Sequence, residues 1–349
     1  MRLNKLLATA LAASITLGLV ACDSGVSNKP ADGSKETQTE QKDAKKPDDN
    51  GGKKELNIDV ILKTTASEYW GYVQAGALAY SKEHPEVKVN VVGASSETAF
   101  DEQLALIETD LASGKYDAFV MAPLQADMVA SKIANVEKPV IAVDTKIDSP
   151  KVLSFVGTGN AAAGKLGGAE AVKAAKAAGW KEIKAICISG VQGDTTAADR
   201  MEGYKQGVEA EGGEFLAGET QYADAVADKA VACMEGIMQT HPEGISIIAC
   251  NNDDIAMAAA RAAKGNPKYE KTIFLGFDGI ISACDAILKG DETMSVAQEG
   301  YSMGYKSVEA AVKAINGEKI EKFIDSGASI VTKANAADRK KTLEGYLNK

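Results

Sequence analysis

From residue 56 onward, short apolar runs alternate with stretches of helical periodicity, and the alternation occurs twice. LNIDVIL, VKVNVVG, YDAFVMA and PVIAVD have the length and apolar content of strands. Between them lie YVQAGALAYSKEH, AFDEQLALIETDLASG and ADMVASKIANVE, whose apolar residues recur at helical spacing. After residue 160 the pattern resumes. IKAICIS, EFLAGET, ISIIACN, TIFLGF and MSVAQ read as strands, and TAADRMEGYKQGVEAEG, AVADKAVACMEGIMQTH, DDIAMAAARAAKG and IISACDAILKG as helices. Nearly continuous apolar strands joined through helices imply parallel sheets covered on both faces. The expected fold class is therefore α/β, with two doubly wound parallel-sheet lobes in tandem.

The amino-terminal segment follows different rules. MRLNK is short and basic, LLATALAASITLGLV is apolar but short for a membrane span, and LVAC places small residues before Cys22. This is the layout of a signal peptide over 1–21. It resembles the lipobox of bacterial lipoproteins, which implies cleavage before Cys22 and lipidation of that residue; the alternative is a plain signal peptide with an incidental cysteine. In Gram-negative lipoproteins an aspartate in the place of Asp23 resembles an inner-membrane retention signal. Residues 22–55 lack aromatics and contain one branched aliphatic residue, Val26, so they are expected to form a disordered tether. The expected location is extracytoplasmic, anchored to the membrane through lipid on Cys22 rather than spanning it.

The formal net charge of −10 argues against a nucleic-acid partner, because phosphate binding wants a basic face. Cys187 and Cys250 sit inside apolar runs, and with Cys233 and Cys284 they match no metal-ligand spacing. Buried thiols are expected, with one disulfide as the alternative.

In open α/β sheets ligands bind beyond the carboxyl ends of the strands. The residues at those positions are Lys63, Ala122 with Pro123, and Asp144 with Thr145 in the first series; in the second they are Asn252 with Asp253, Asp278 and Gln298. Lys63 is the one cation among them. Tyr69 and Trp70 follow within a turn of helix, and of two consecutive helical residues usually one faces the core. At least one of them therefore has another place to go, unless both pack the helix onto its sheet.

Other motifs carry less. GNAAAGKL (159–166) approaches a P-loop, but Leu166 stands where Ser or Thr would hold magnesium. His84 and His241 precede proline at helix ends and read as solvated cap residues, so no Ser–His–Asp triad is supported. Asp144 and Asp278 imitate a glycosidase pair, but carboxylates that bind hydroxyls are the simpler reading. Asp194 or Thr195 reads as a helix cap leading to Arg200. No cofactor or metal is called for.

VILKTTASEYW, APL, VDTKID, GDTTAADRMEGY, CNNDDIAM, GFDG and VAQ occur in the order and spacing of periplasmic sugar-binding proteins. The chain resembles the ribose/allose/galactose cluster of ABC-transporter substrate-binding proteins over about residues 56–335, nearer the allose than the ribose type at Lys63 and APL. The resemblance implies the type I periplasmic-binding-protein fold, with a hinge crossed near 157–160, 298–300 and 325–328. The implied lobes are 56–158 plus 299–326 and 159–298 plus 327–349. It implies stacking of Tyr69 and Trp70 on a sugar ring, with Lys63, Asp144 and Thr145 bonding hydroxyls from one lobe. Arg200, Asn252, Asp278 and Gln298 would do so from the other lobe and the hinge. It further implies a monomer that delivers a monosaccharide, pentose or hexose, to an ABC permease. One departure concerns Ala225, which stands where these proteins carry an aromatic residue; either the pocket is wider there or Tyr222 fills it. The rival functions are a receptor for another polyol-like ligand, such as inositol or a furanose-type signal, a secreted glycosidase, and a sugar-responsive repressor. The last would carry a helix-turn-helix module in front, where this chain has an apolar leader and an acidic tether.

Overall fold

The computed structural model describes residues 55–348. The leader, Cys22 and the expected tether up to residue 54 lie outside the described residues.

The first sheet is built from β1 (Leu56–Thr64), β2 (Val87–Ala94), β3 (Ala118–Met121), β4 (Val140–Val143) and β5 (Val152–Gly157), joined late in the chain by β12 (Phe323–Asp325). Its order is β12-β5-β4-β3-β1-β2, parallel throughout. The second sheet contains β6 (Lys184–Ser189), β7 (Glu214–Phe215), β8 (Gln221–Tyr222), β9 (Ile247–Cys250), β10 (Ile273–Asp278), β11 (Met294–Gln298) and β13 (Ala328–Val331). Its order is β13-β11-β10-β9-β6-β7, with β8 also pairing to β6. Two parallel-sheet α/β lobes result. The alternation of apolar runs is explained by burial on both faces of each sheet: Ile58, Val60 and Leu62 of β1 face one cluster, and Ile61 faces another.

One strand departs from the expected parallel pattern. β13 runs antiparallel to β11. The chain leaves the first sheet at Asp325, crosses in two residues through Gly327 (φ 83°), and must run away from the crossing point as it enters the second sheet. The segment EFLAGET is also not a single strand. Only Glu214–Phe215 pairs before a 3₁₀ turn at Ala217–Glu219 interrupts it. The expected helix over 126–137 stops at Lys132, with Ile133 as its C-cap.

Two pairs of helices carry the residues that matter below. α1 (Glu68–Glu83) packs on α9 (Gly300–Ile315), and α4 (Asn160–Ala177) packs on α5 (Thr195–Ala210). Both contacts rely on glycine. A Cβ on Gly304 would run into the carbonyl of Val73, and one on Gly164 into the carbonyl of Arg200. The P-loop-like GNAAAGKL is the start of α4, and its Gly164 serves this close approach. The remaining helices are α2 (Phe100–Ser113), α3 (Ala126–Lys132), α6 (Ala227–Thr240), α7 (Asp253–Ala263), α8 (Ile281–Lys289) and α10 (Ala336–Leu347). Among the described residues no helix is long and apolar enough to cross a membrane.

His84 and His241 do sit at the C-caps of α1 and α6, but neither ring simply points into water. His84 stacks on Tyr80 at 4.3 Å, and His241 Nε2 lies 2.5 Å from Glu219 Oε2. Cys187, Cys233, Cys250 and Cys284 are free thiols; three are buried as expected, but Cys233, on α6, is only half-buried, and burial pushes Cys187 up to about 12.

Candidate functional site

β1 ends inside the protein with Lys63, 5% exposed, and Thr64, and the chain turns through three residues into α1. That turn brings Tyr69 and Trp70 beside the lysine. Both rings are buried, and they meet edge-on at 5.2 Å. The Tyr69 hydroxyl donates to Asp144 Oδ1 at 2.8 Å, and Trp70 Nε1 donates to Glu97 Oε1 at 2.9 Å. Two consecutive helical residues are buried because the first turn of α1 is covered on more than one side: both rings belong to the first-lobe core cluster, which also takes in Ile280 and Ala283, and both line the cleft. Thr145 Oγ1 donates to Asp144 Oδ2 at 2.8 Å, so both oxygens of this carboxylate already have a neutral donor.

The opposite wall is organised by Arg200. Its guanidinium lies 3.8 Å from the centroid of the Phe277 ring. Nε donates to Asn160 Oδ1 at 3.0 Å and Nη1 to the Asn251 carbonyl at 2.8 Å. Nη1 also stands 3.7 Å from Asp278 Oδ1. Nη2 makes no hydrogen bond to the described residues. Arg200 is therefore held rigidly by its inner edge, which leaves directional donors on its outer edge. Gln298 Nε2 donates to Asp278 Oδ1 at 2.7 Å while its Oε1 accepts from Thr158 at 3.0 Å. Behind them Arg339 of α10 donates from Nη2 to the Gln298 carbonyl and from Nε to the Gly279 carbonyl.

These two walls enclose one cavity lined by Lys63, Tyr69, Trp70, Asp144, Arg200, Asn252, Asp278 and Gln298. Its free volume is about 50 Å³. That is well below the ~150 Å³ of a cavity that takes up a benzene-sized ring. Thr145 is the one expected site residue outside this lining; it stands behind Asp144 and accepts from Thr196 at 3.1 Å. Asn252 lines the cavity while its side chain also caps α7. Ala225 lines it as well, whereas Tyr222 is 41% exposed and stands outside. Tyr222 therefore does not fill the space that the missing aromatic leaves.

Backbone strain concentrates at the same place. Among the described residues four that are not glycine have positive φ, and three of them line this cavity: Asp144 (62°), Ala225 (55°) and Asp278 (115°). Such conformations cost about 1–3 kcal/mol each and persist where surrounding structure over-determines them. At Asp278 that structure is visible. The next two backbone N–H groups are held by Ser295 Oγ and Asp253 Oδ2 at 3.1 and 3.0 Å.

The electrostatics follow from burial. Burial pushes the Asp278 carboxyl well above its usual range, against the pull of Arg200. Burial alone would lower the Lys63 ammonium, but Asp194, Glu97 and Asp144 outweigh it and raise the pKa. Glu97 and Asp194 belong to the cavity and were not expected there. Glu97 lies just after β2, and Asp194 is a helix-cap position in the sequence. Its Oδ1 accepts from Ala197 N at 2.8 Å, while Oδ2 accepts from Lys63 across the cavity. Asn251 and Asn160, which hold Arg200, lie outside the set that the sequence points to. Asn251 adjoins Asn252, so the CNND run carried the signal one residue earlier.

Polar groups with aromatic surface in an interlobe cleft suit a small polyhydroxylated ligand, and known proteins with this architecture bear on that reading. The family model for the periplasmic binding protein domain matches residues 58–319. The ribose import binding protein of Salmonella typhimurium is 29% identical over 267 residues, 76% of this chain and 86% of that protein. The D-allose-binding periplasmic protein of Escherichia coli is 28% identical over 271 residues, 75% of this chain and 85% of that protein. A carbohydrate transporter solute binding protein from Agrobacterium radiobacter, solved in complex with D-arabinose, superposes with a TM-score of 0.75 at 30% identity, covering 84% of this chain and 99% of that one. These relatives are solute-binding proteins and not enzymes. The chain belongs to the periplasmic binding protein family, among its sugar-binding members.

Proposed function

We propose that the chain is a membrane-anchored receptor that takes a monosaccharide into the cleft between its lobes and delivers it to an ABC-type importer. The observation that carries this reading is the convergence of strand-end polar groups from both lobes on one cavity, beside two buried aromatic rings. A pyranose or furanose has an apolar face of C–H groups and a rim of hydroxyls. Tyr69 and Trp70 supply apolar surface for the face, and Lys63, Asp144, Arg200, Asn252, Asp278 and Gln298 supply donors and acceptors for the rim. Thr145 acts through Asp144 by fixing one of its oxygens.

A cavity of about 50 Å³ admits no sugar ring as it stands. Binding therefore requires the lobes to part and close again, with ligand hydroxyls replacing some of the bonds these side chains make to one another. The moving bodies would be 56–158 plus 299–326 and 159–298 plus 327–349. An epimer would leave buried groups unpaired, which is how such a site discriminates. The named ligands of the relatives, ribose, D-allose and D-arabinose, support an aldose as the class.

Mass spectrometry of the small molecule released on denaturing protein purified from its native host tests the ligand. A monosaccharide in stoichiometric amount is expected; protein loaded with a different class of molecule would overturn the reading. Anchoring rests on LVAC before Cys22. Cys22→Ala should take up no fatty-acid label, and labelling equal to the parent would overturn the anchor.

A further inference from the structure

In the first lobe the alternation of strand and helix breaks once. β1 to β4 are joined through α1, α2 and α3, but β4 passes to its parallel neighbour β5 through residues 144–151 with no helix. Crossover helices are what cover the faces of a parallel sheet. On the face where Ile107 of α2 and Val129 of α3 pack near Phe119 and Ala142, the far end of the sheet is β5 and β12. Phe155 and Phe323 lie side by side there, their rings parallel within 10° and 5.4 Å apart. Phe155 is buried, whereas Phe323 is 43% exposed, so one ring of the stack is left open. The cavity over them measures about 550 Å³ and is walled further by Ile147. That lies inside the ~300–1,000 Å³ range of small-molecule sites. It shares no lining residue with the interlobe cavity.

The charges around it narrow the class of occupant. Lys146 Nζ stands 5.8 Å from the centroid of the Phe155 ring. Its ion pair to Asp199, at 3.5 Å, lies in solvent and contributes little, so the ammonium can turn to another anion at small cost. Lys322, exposed beside Phe323, is a second cation. Two lysines against one aspartate, Asp148, give this lining a positive balance in a chain whose formal net charge is −10. We propose that the cavity is a second binding site, apart from the cleft, for a small flat aromatic molecule that carries one acidic group. The ring extends the Phe155–Phe323 stack on the open side of Phe323, and the carboxylate or sulfonate meets Lys146 and Lys322. A neutral ring gains the stack but leaves the lysines unused, and an anion without a ring leaves the aromatic surface wet. This inference is independent of the sugar reading.

Anilinonaphthalene sulfonate has the proposed chemistry and reports its own binding by fluorescence. The full chain carrying Cys22→Ser is titrated with it. One saturable site per chain is expected. Naphthoate should displace the dye, and the neutral naphthyl methanol should need about tenfold more to do so. Phe323→Ser should weaken dye binding about tenfold. Lys322→Glu, an exposed change, serves should Phe323→Ser fold poorly, and should weaken it about fivefold. Leu78→Ser, at an exposed apolar residue of α1, and Asp278→Ala, in the cleft, should bind the dye as the parent does. Absence of a saturable site in the parent, or parent-like binding in both Phe323→Ser and Lys322→Glu, overturns the site. Loss of the dye in Asp278→Ala would put it in the cleft and overturn the site as well. Equal displacement by naphthoate and the alcohol overturns the acidic group as part of the ligand.

Discussion

At the scale of residues, the cleft is a set of side chains that satisfy one another. Asp144 is capped by Tyr69 and Thr145, Asp278 by Gln298, and Arg200 by Asn160 and the Asn251 carbonyl. Trp70 has two roles: it is 2% exposed within the first-lobe core, and its Nε1 holds Glu97. Trp70→Ala should therefore lower stability by about 3–5 kcal/mol, as large aromatic truncations do. In the folded fraction it should weaken all bound sugars by a similar factor. Thermal melts with parallel titrations check both halves, and wild-type affinity in the folded variant would make Trp70 a packing residue only. Eight of the nine residues expected at the site line the cavity: Lys63, Asp144, Asn252, Asp278 and Gln298 follow from strand ends, a positional rule that sequence exposes, Tyr69 and Trp70 from their place just after the first strand, and Arg200, inside α5, from the family resemblance alone. Thr145 misses by one layer, since Asp144 has left-handed φ and turns the chain behind itself. Arg339 was invisible because nothing in the local sequence ties a carboxy-terminal helix to the carbonyls of Gly279 and Gln298.

At the scale of elements, the site helices are positioned by glycine contacts behind them. α5 carries Arg200, and a Cβ on its Gly203 would strike the carbonyl of Ala161 on α4. Gly203→Ala should push the helices apart, with about 1–3 kcal/mol lost to overpacking. Displacing Arg200 in this way should also weaken sugar binding although residue 203 lines no part of the cavity. Urea unfolding and calorimetry check this, and a variant with parent stability and affinity would contradict it. The buried strands were legible from their apolar runs, yet β5, α4, α9 and α10 were harder to see. Their small-residue-rich or polar faces give weak periodicity: α4 packs through Gly164, Gly167 and Gly168, and α10 has only Ala336 and Leu343 buried. The antiparallel β13 follows from a tight crossing between sheets, which pattern alone does not reveal.

At the scale of the whole molecule, several carboxyl groups are buried away from any cation. Burial raises Asp59 to about 7 and Asp253 to about 7, and it pushes Glu292 well above its usual range. Neither oxygen of Glu292 has a hydrogen-bond partner. These groups hold protons in the folded state that the unfolded chain has released, so their contribution to stability is fully present below about pH 4 and falls as pH rises toward 7. Asp194, whose pKa is lowered chiefly by Lys63 against the opposing effect of burial, acts in the opposite sense and loses its contribution in acid. Glu292→Leu should therefore stabilise the protein at pH 8 by about 1–3 kcal/mol, the cost of an unsatisfied buried polar group. It should gain less at pH 5. Urea unfolding at the two pH values measures this, and a destabilised variant at pH 8 would contradict it.

The central claim is that the interlobe cavity is the sugar site, and Asp278 tests it most directly. Its carboxylate is 8% exposed, strained at φ 115° and placed between Gln298 and Arg200. Leaving buried hydrogen-bonding groups without this partner costs about 1–3 kcal/mol, or roughly tenfold in affinity for each 1.4 kcal/mol. Calorimetric titration of a panel of pentoses, hexose epimers and inositol should find at least one monosaccharide binding the parent one to one. Asp278→Ala, folded by circular dichroism, should bind that sugar one to two orders of magnitude more weakly. Equal affinity in parent and variant would place the ligand elsewhere and contradict the account.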